Sequence, residues 1–187
     1  MTDLTRDEVL EFIHKLRRDK LLELDLTGVD LNDADLRSVD LRGANLLRWT
    51  LVRSNLSRAD LRGADLSEAR LILADLHHAN LEGATLHESD LRGAKLYGAN
   101  LSGADIRGAI IHRADLRGAN LRGANLGGAK LYGANLCSSD LRGAILREAD
   151  LRGADLLAAT LNSARYDTKT IWSKGFDPAA AGATMVY

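Results

Sequence analysis

The stretch Leu141-Arg142-Gly143-Ala144, met earlier as Leu61-Arg62-Gly63-Ala64 and as Leu121-Arg122-Gly123-Ala124, decides how this chain folds. It belongs to a five-residue phrase, Ala-(Asp/Asn)-Leu-Arg-Gly in outline, that runs from about Leu24 to Thr168 without insertion. Leu occupies every fifth position from Leu26 to Leu161, with Ile106 and Ile111 as the exceptions. Two residues before each stands a small side chain, most often Ala. A fixed internal period is read first, because it dictates the architecture.

No ordinary element tolerates this period. On an α-helix five residues advance the face by roughly 140°, so the Leu positions would wander around the axis. On a flat strand an odd step turns every second Leu to the opposite face. The chain must instead bend once per repeat in a constant sense. Each central Leu then points inward with the small residue two before it, and the other three positions face water. Gly43, Gly63, Gly83, Gly103, Gly123 and Gly143 recur twenty residues apart, two after the centre. Four repeats per coil is the simplest closure. Its corner turn places this Gly third of four, where a type II turn needs positive φ.

The motifs Ala64-Asp65-Leu66, Ala104-Asp105-Ile106, Ala119-Asn120-Leu121 and Ala154-Asp155-Leu156 resemble the pentapeptide repeat family over most of the chain. The resemblance implies an all-β solenoid, a right-handed quadrilateral parallel β-helix of about seven coils. Members of that family have mixed functions, so the resemblance implies little about activity. Segments like Gly175-Phe176-Asp177-Pro178 commonly close such proteins, and some members dimerise through their C-termini.

Three segments follow. Residues 1–23 are expected to form an N-terminal capping helix, 24–168 the repeat solenoid, and 169–187 a C-terminal cap and tail. Thr5-Arg6-Asp7-Glu8 fits a capping box, and Val9, Phe12, Ile13 and Leu16 line one helical face. Lys15, Arg17, Arg18 and Lys20 gather where the helix dipole favours cations. The helix covers the first coil, since a solenoid end exposes apolar core and strand edges. Its other reading is a basic amphipathic contact for a membrane or partner. Trp49 breaks the small-residue column and predicts a bulge at Arg48-Trp49-Thr50, or an indole turned toward that helix. Tyr166, Ile171, Trp172 and Phe176 predict a lid over the last coil, with a mobile tail over 179–187. The alternative for this end is a dimer seam, so the protein is a monomer or a dimer through an end cap.

Aromatic residues make up 4% of the 187 residues, so stacked Leu must supply the core, each burial worth about 1.5–3 kcal/mol. The net charge is −1, and the repeat region balances about nineteen acidic against eighteen basic residues. The single cysteine, Cys137, sits at an outward position and reads as a serine-like surface residue. No signal peptide or membrane span is read, which predicts a cytoplasmic protein away from membranes.

The outward residues carry no recognisable catalytic set, phosphate loop or cofactor motif. His77, His78, His87 and His112 lack metal-ligand spacing. Asn80, Asn100 and Asn120 should form a ladder, and His77-Tyr97-Arg117 and Arg92-His112-Tyr132-Arg152 two further columns. The chain therefore reads as a non-enzymatic structural or protein–protein interaction module with an unknown protein partner. Its alternative is a gyrase or topoisomerase regulator acting by DNA mimicry, which the balanced charge does not favour. The candidate partner patch is Leu47, Val52, Ile72 and Leu73, apolar residues where most repeats place polar ones; on a twenty-residue coil Val52 and Ile72 are vertical neighbours, Leu73 is adjacent and Leu47 lies one corner away. The competing reading has the N-terminal helix or Trp49 lying over that patch.

Overall fold

The structure, a computed structural model, describes Glu11 and residues 28–186. Glu11 is helical and exposed; the rest of the expected capping helix lies outside the described residues. From Gly28 to Ala164 the five-residue phrase repeats as one conformation: a bridge residue, an inward centre and a two-residue turn.

Parallel bridges join residues twenty apart, from Asp30↔Thr50 to Ile145↔Arg165. Each coil thus has four sides, named here after their central residues Leu51, Leu56, Leu61 and Leu66. One ladder, Asp30, Thr50, Arg70, Asp90, Ile110, Lys130, Asp150 and Ile171, crosses seven coil steps. At about 4.8 Å per step this makes a rod of some 35 Å. The central Leu, Ile106 and Ile111 are buried from Leu31 to Leu161, and the Ala column is buried alongside them except at Ala44 and Ala159, which are partly covered. The core is a continuous stack running down the coil axis.

The turn explains why the period holds. In the repeat around Leu61, Ala64 donates its N–H to the Leu61 carbonyl at 3.0 Å, closing a four-residue turn. Positive φ in third place is found at every corner, not only in the twenty-residue Gly column. Fourteen non-Gly residues adopt it, among them Arg58 at 57° and Leu73 at 58°. L-residues lose about 1–2 kcal/mol in this region, which the hydrogen bonds of the coil must offset.

A count of backbone donors explains the Asp/Asn preference. In the same repeat Leu61 and Gly63 donate to Asn80 and Glu82 of the next coil at 2.7 and 3.0 Å. Asp65 donates to Ala44 of the previous coil at 2.9 Å. Four of the five N–H groups are thus bonded to backbone. The fifth, on Arg62, donates to the Asp60 side chain at 3.3 Å. The same bond recurs from Ser57 to Asn55, Ser102 to Asn100 and Cys137 to Asn135 at 3.0–3.2 Å. These are Asx-turns, in which a side-chain oxygen serves as a turn carbonyl. The residue before the centre therefore does more than face water: it completes the backbone.

Trp49 does not bulge the chain. It is 1% exposed, and its N–H still reaches the Leu46 carbonyl at 3.1 Å. Thr50 keeps its bridges to Asp30 and Arg70, so the register passes through unbroken. Its column neighbours are Val29, which is only partly buried, and Ala69. The lumen holds the indole between a part-covered upper neighbour and a small lower one.

Past Ala164 the register slips by one: Asp150 bridges Ile171 rather than a residue twenty on. Strand β1, Arg165–Tyr166, pairs in parallel with β2, Thr184–Met185. Tyr166, Trp172 and Phe176 pack against the core as the expected lid, the last two rings stacked at 5.3 Å. Ile171 is instead 46% exposed and takes no part in it. The segment expected as a mobile tail contains β2, held by backbone bonds: Thr184 donates to Ala164 at 2.7 Å and Val186 to Tyr166 at 2.8 Å.

Candidate functional site

The twenty-residue step assigns each outward residue to a side, which sorts the four patch residues. Val52 and Ile72 stand one coil apart in a single column on the Leu51 side, both half-buried. Leu73, at the following corner, is 55% exposed. Its side chain lies over the next coil: a Cβ on Gly93 would come within 2.8 Å of a Leu73 methyl. Gly93 thus gives Leu73 a flat seat. Leu47 is separate. It belongs to the Leu66 side, beyond the corner, and its N–H is held by Asn45 at 3.1 Å. The patch is a group of three.

The same column continues downward through Arg92, His112, Tyr132 and Arg152. His112 and Tyr132 meet edge to face at 6.1 Å, and Tyr132 is 48% exposed. Ile110, half-buried in the neighbouring ladder, is a further apolar residue two coil steps below the Ile72 repeat, beyond the Asp90–Arg92 pair. Its signal in the sequence is the replacement of the usual Asp or Asn by an aliphatic residue.

The polar part of this side is built from pairs within single repeats. Asp90 accepts from the Arg92 guanidinium at 2.6 Å, and Asp150 from that of Arg152 at 2.6 Å. The Arg152 hydrogen bond holds the Asp150 carboxyl below the usual carboxylate range, against a smaller opposing effect of burial. The same pair within a single repeat recurs in six repeats on the other sides, as at Arg62–Asp60, Arg107–Asp105 and Arg117–Asp115.

The other expected columns form as well. Asn100 donates to Asn80 at 3.1 Å, and Asn120 to Asn100 at 3.0 Å. His77 stacks on Tyr97 at 5.0 Å with the rings 4° from parallel, while its Nδ1 lies 2.5 Å from Asp75. An open hollow beneath that stack is lined by Tyr97, Arg117, Gly118, Cys137 and Ser138. Among the described residues no group of three His, Cys, Asp or Glu side chains is placed to hold a metal ion. Nor, among them, is any helix long and apolar enough to cross a membrane.

A family model described as Pentapeptide repeats matches the chain in eight copies, over residues 20–48, 54–93, 86–123 and 119–157. Among solved structures, HetL of Nostoc sp. strain PCC 7120, a pentapeptide repeat protein involved in heterocyst differentiation regulation, is 36% identical. That alignment covers 72% of this chain and 79% of HetL, with a TM-score of 0.41. A pentapeptide repeat protein of the Arabidopsis thaliana thylakoid lumen is 32% identical over 57% of this chain and 67% of its own, at a TM-score of 0.29. Full-length QnrB1, a plasmid-mediated fluoroquinolone resistance protein, is 18% identical over 87% of this chain and 86% of its own, at 0.35. No curated protein sequence matches.

Proposed function

The chain belongs to the pentapeptide repeat family, and on that premise we propose that it is a non-enzymatic interaction module that docks a protein partner on the side of its rod. The observation that carries the reading is the Val52–Ile72–Leu73 group. Stacking at one coil spacing makes these three side chains contiguous, and Leu73 stands 55% exposed above its Gly93 seat. Contiguous exposed apolar surface on a soluble rod marks a contact site. A parallel solenoid supplies the rigidity such a contact needs. Leu47, beyond the corner, lies outside the docking group.

DNA mimicry is the weaker alternative. Eight repeats pair their own Asp with their own Arg, so many of the carboxylates that a mimic would display are neutralised in place. A cytoplasmic setting, in keeping with a lone free cysteine, is part of the proposal.

Ile72→Lys tests the docking side. Ile72 is half-buried and outward, so the variant should melt as the wild type does while losing the proteins that wild-type rod retains from lysate. Retention of the same proteins would overturn the reading. A lower melting temperature with partners unchanged would make the patch an internal contact.

A further inference from the structure

The Leu51 side carries an imbalance that the other three sides lack. Between Arg53 and Arg152 it holds two carboxylates, Asp90 and Asp150, and each is occupied by the arginine of its own repeat. Arg53 is itself paired, to Asp33 at 2.6 Å. Three further cations, Arg70, Arg113 and Lys130, are exposed, and among the described residues none has a carboxylate within ion-pair distance. The Leu66 side leans the other way, with Asp65 and Glu88 outside any Arg or Lys pair. The Leu61 side has one such cation, Arg122, and the Leu56 side one, Arg58.

The three cations are set among the apolar residues. Arg70 precedes the centre of the repeat that carries Ile72 and Leu73. Bridges place Arg70, Asp90, Ile110 and Lys130 in one ladder, with Arg113 at the corner beside Ile110. From Val52 to Lys130 the surface runs over four coil steps, about 19 Å, the length of a six-residue extended segment.

Resting on the docking reading above, we infer that this side binds an acidic peptide segment whose carboxylates alternate with apolar side chains. The apolar residues seat on Val52, Ile72, Leu73 and Ile110, and the carboxylates meet Arg70, Arg113 and Lys130. A nucleic acid fits less well. It would present phosphate along its whole length to a surface that interrupts its cations with aliphatic side chains and the Asp90 carboxylate. Charge complementarity of this kind sets partner choice and speeds encounter, and salt weakens it.

The test is a selection of displayed random peptides on the full-length protein. Enriched peptides should combine Asp or Glu with Leu, Ile, Val or Phe, and raised salt should weaken them. The double variant Arg113→Glu/Lys130→Glu should weaken the best of them by about tenfold or more. Arg122→Glu, a cation on the Leu61 side, should leave it unchanged. Neutral or basic winners, no enrichment, or binding indifferent to the double variant would overturn the inference. So would a single-stranded oligonucleotide that competes more strongly than the selected peptide. These failures are separable from failure of docking itself. If Ile72→Lys still abolishes partner retention while acidic peptides do not bind, the docking side stands and the chemistry assigned to its partner is wrong.

Discussion

At the residue scale, the side chain before each central Leu carries two roles that substitution can separate. Asp140 accepts the Arg142 backbone N–H at 3.0 Å and also binds that residue's guanidinium at 2.8 and 2.5 Å. The Arg142 hydrogen bond is the main reason its pKa is lowered to about 2, with burial opposing and Thr160 assisting. A folded pKa below the ordinary 3.8 means the folded state binds the proton less readily. Its stabilisation is complete above about pH 4 and is lost as pH falls toward 2. Asp140→Asn keeps the acceptor and loses the charge, so it should cost about 0.5 kcal/mol and remove this residue's share of acid sensitivity. Asp140→Ala loses both and should cost about 1–2 kcal/mol. Thermal melts across that pH window check this; equal melting of the two variants would refute the backbone role. Ser54 and Ser89 show the same economy inside the coil, each hydroxyl donating at 2.8 Å to the carbonyl three residues back.

At the scale of the turn, the fold depends on a conformation that half of its corner residues, the fourteen that are not Gly, resist. Arg58 holds φ at 57°, is exposed, and shows no side-chain hydrogen bond among the described contacts. Arg58→Gly should therefore raise stability by about 0.5–1 kcal/mol, despite the entropy that Gly loses on folding. Chemical denaturation with an unchanged or lower midpoint would argue against a strained corner. This strain was not legible in the sequence. Gly43 and Gly63 announced a positive-φ turn, but Arg, Glu, Leu and His at equivalent corners carry no such mark. The inward columns were legible throughout, because Leu and Ala at fixed spacing leave no other register. The bulge expected at Trp49 does not form, because its upper neighbour Val29 is only part-covered and leaves room for the indole; the other expectation, an indole turned toward the N-terminal helix, lies outside the described residues. The one-residue slip at Ile171 falls where the phrase itself decays. In the candidate site, spacing alone placed Val52, Ile72 and Leu73 together and Leu47 around the corner. The seat at Gly93 and the imbalance of cations needed the folded coil to be seen.

At the scale of the whole molecule, interior and exterior obey different periods. Inside, every five residues are nearly interchangeable; outside, identity returns only every twenty. The surface thus has a reading frame that the core lacks. Duplicating Ala59-Asp60-Leu61-Arg62-Gly63 in place would add one side to the winding, and each downstream residue would move a quarter turn around the rod. Leu and Ala would still meet Leu and Ala, so circular dichroism and melting temperature should stay close to wild type. Outside, Ile72 would lie beneath Ser57 and Val52 above Ser67, and partner retention should fail. Duplicating residues 131–150 inserts one full coil, keeps the frame and should preserve both. If the five-residue insertion left partner retention intact, the partner would not be reading one side of the rod. Insertions of one repeat are in this sense silent to the fold and frameshifts to the surface, so a chain of this kind can exchange one set of partners for another without renegotiating its core.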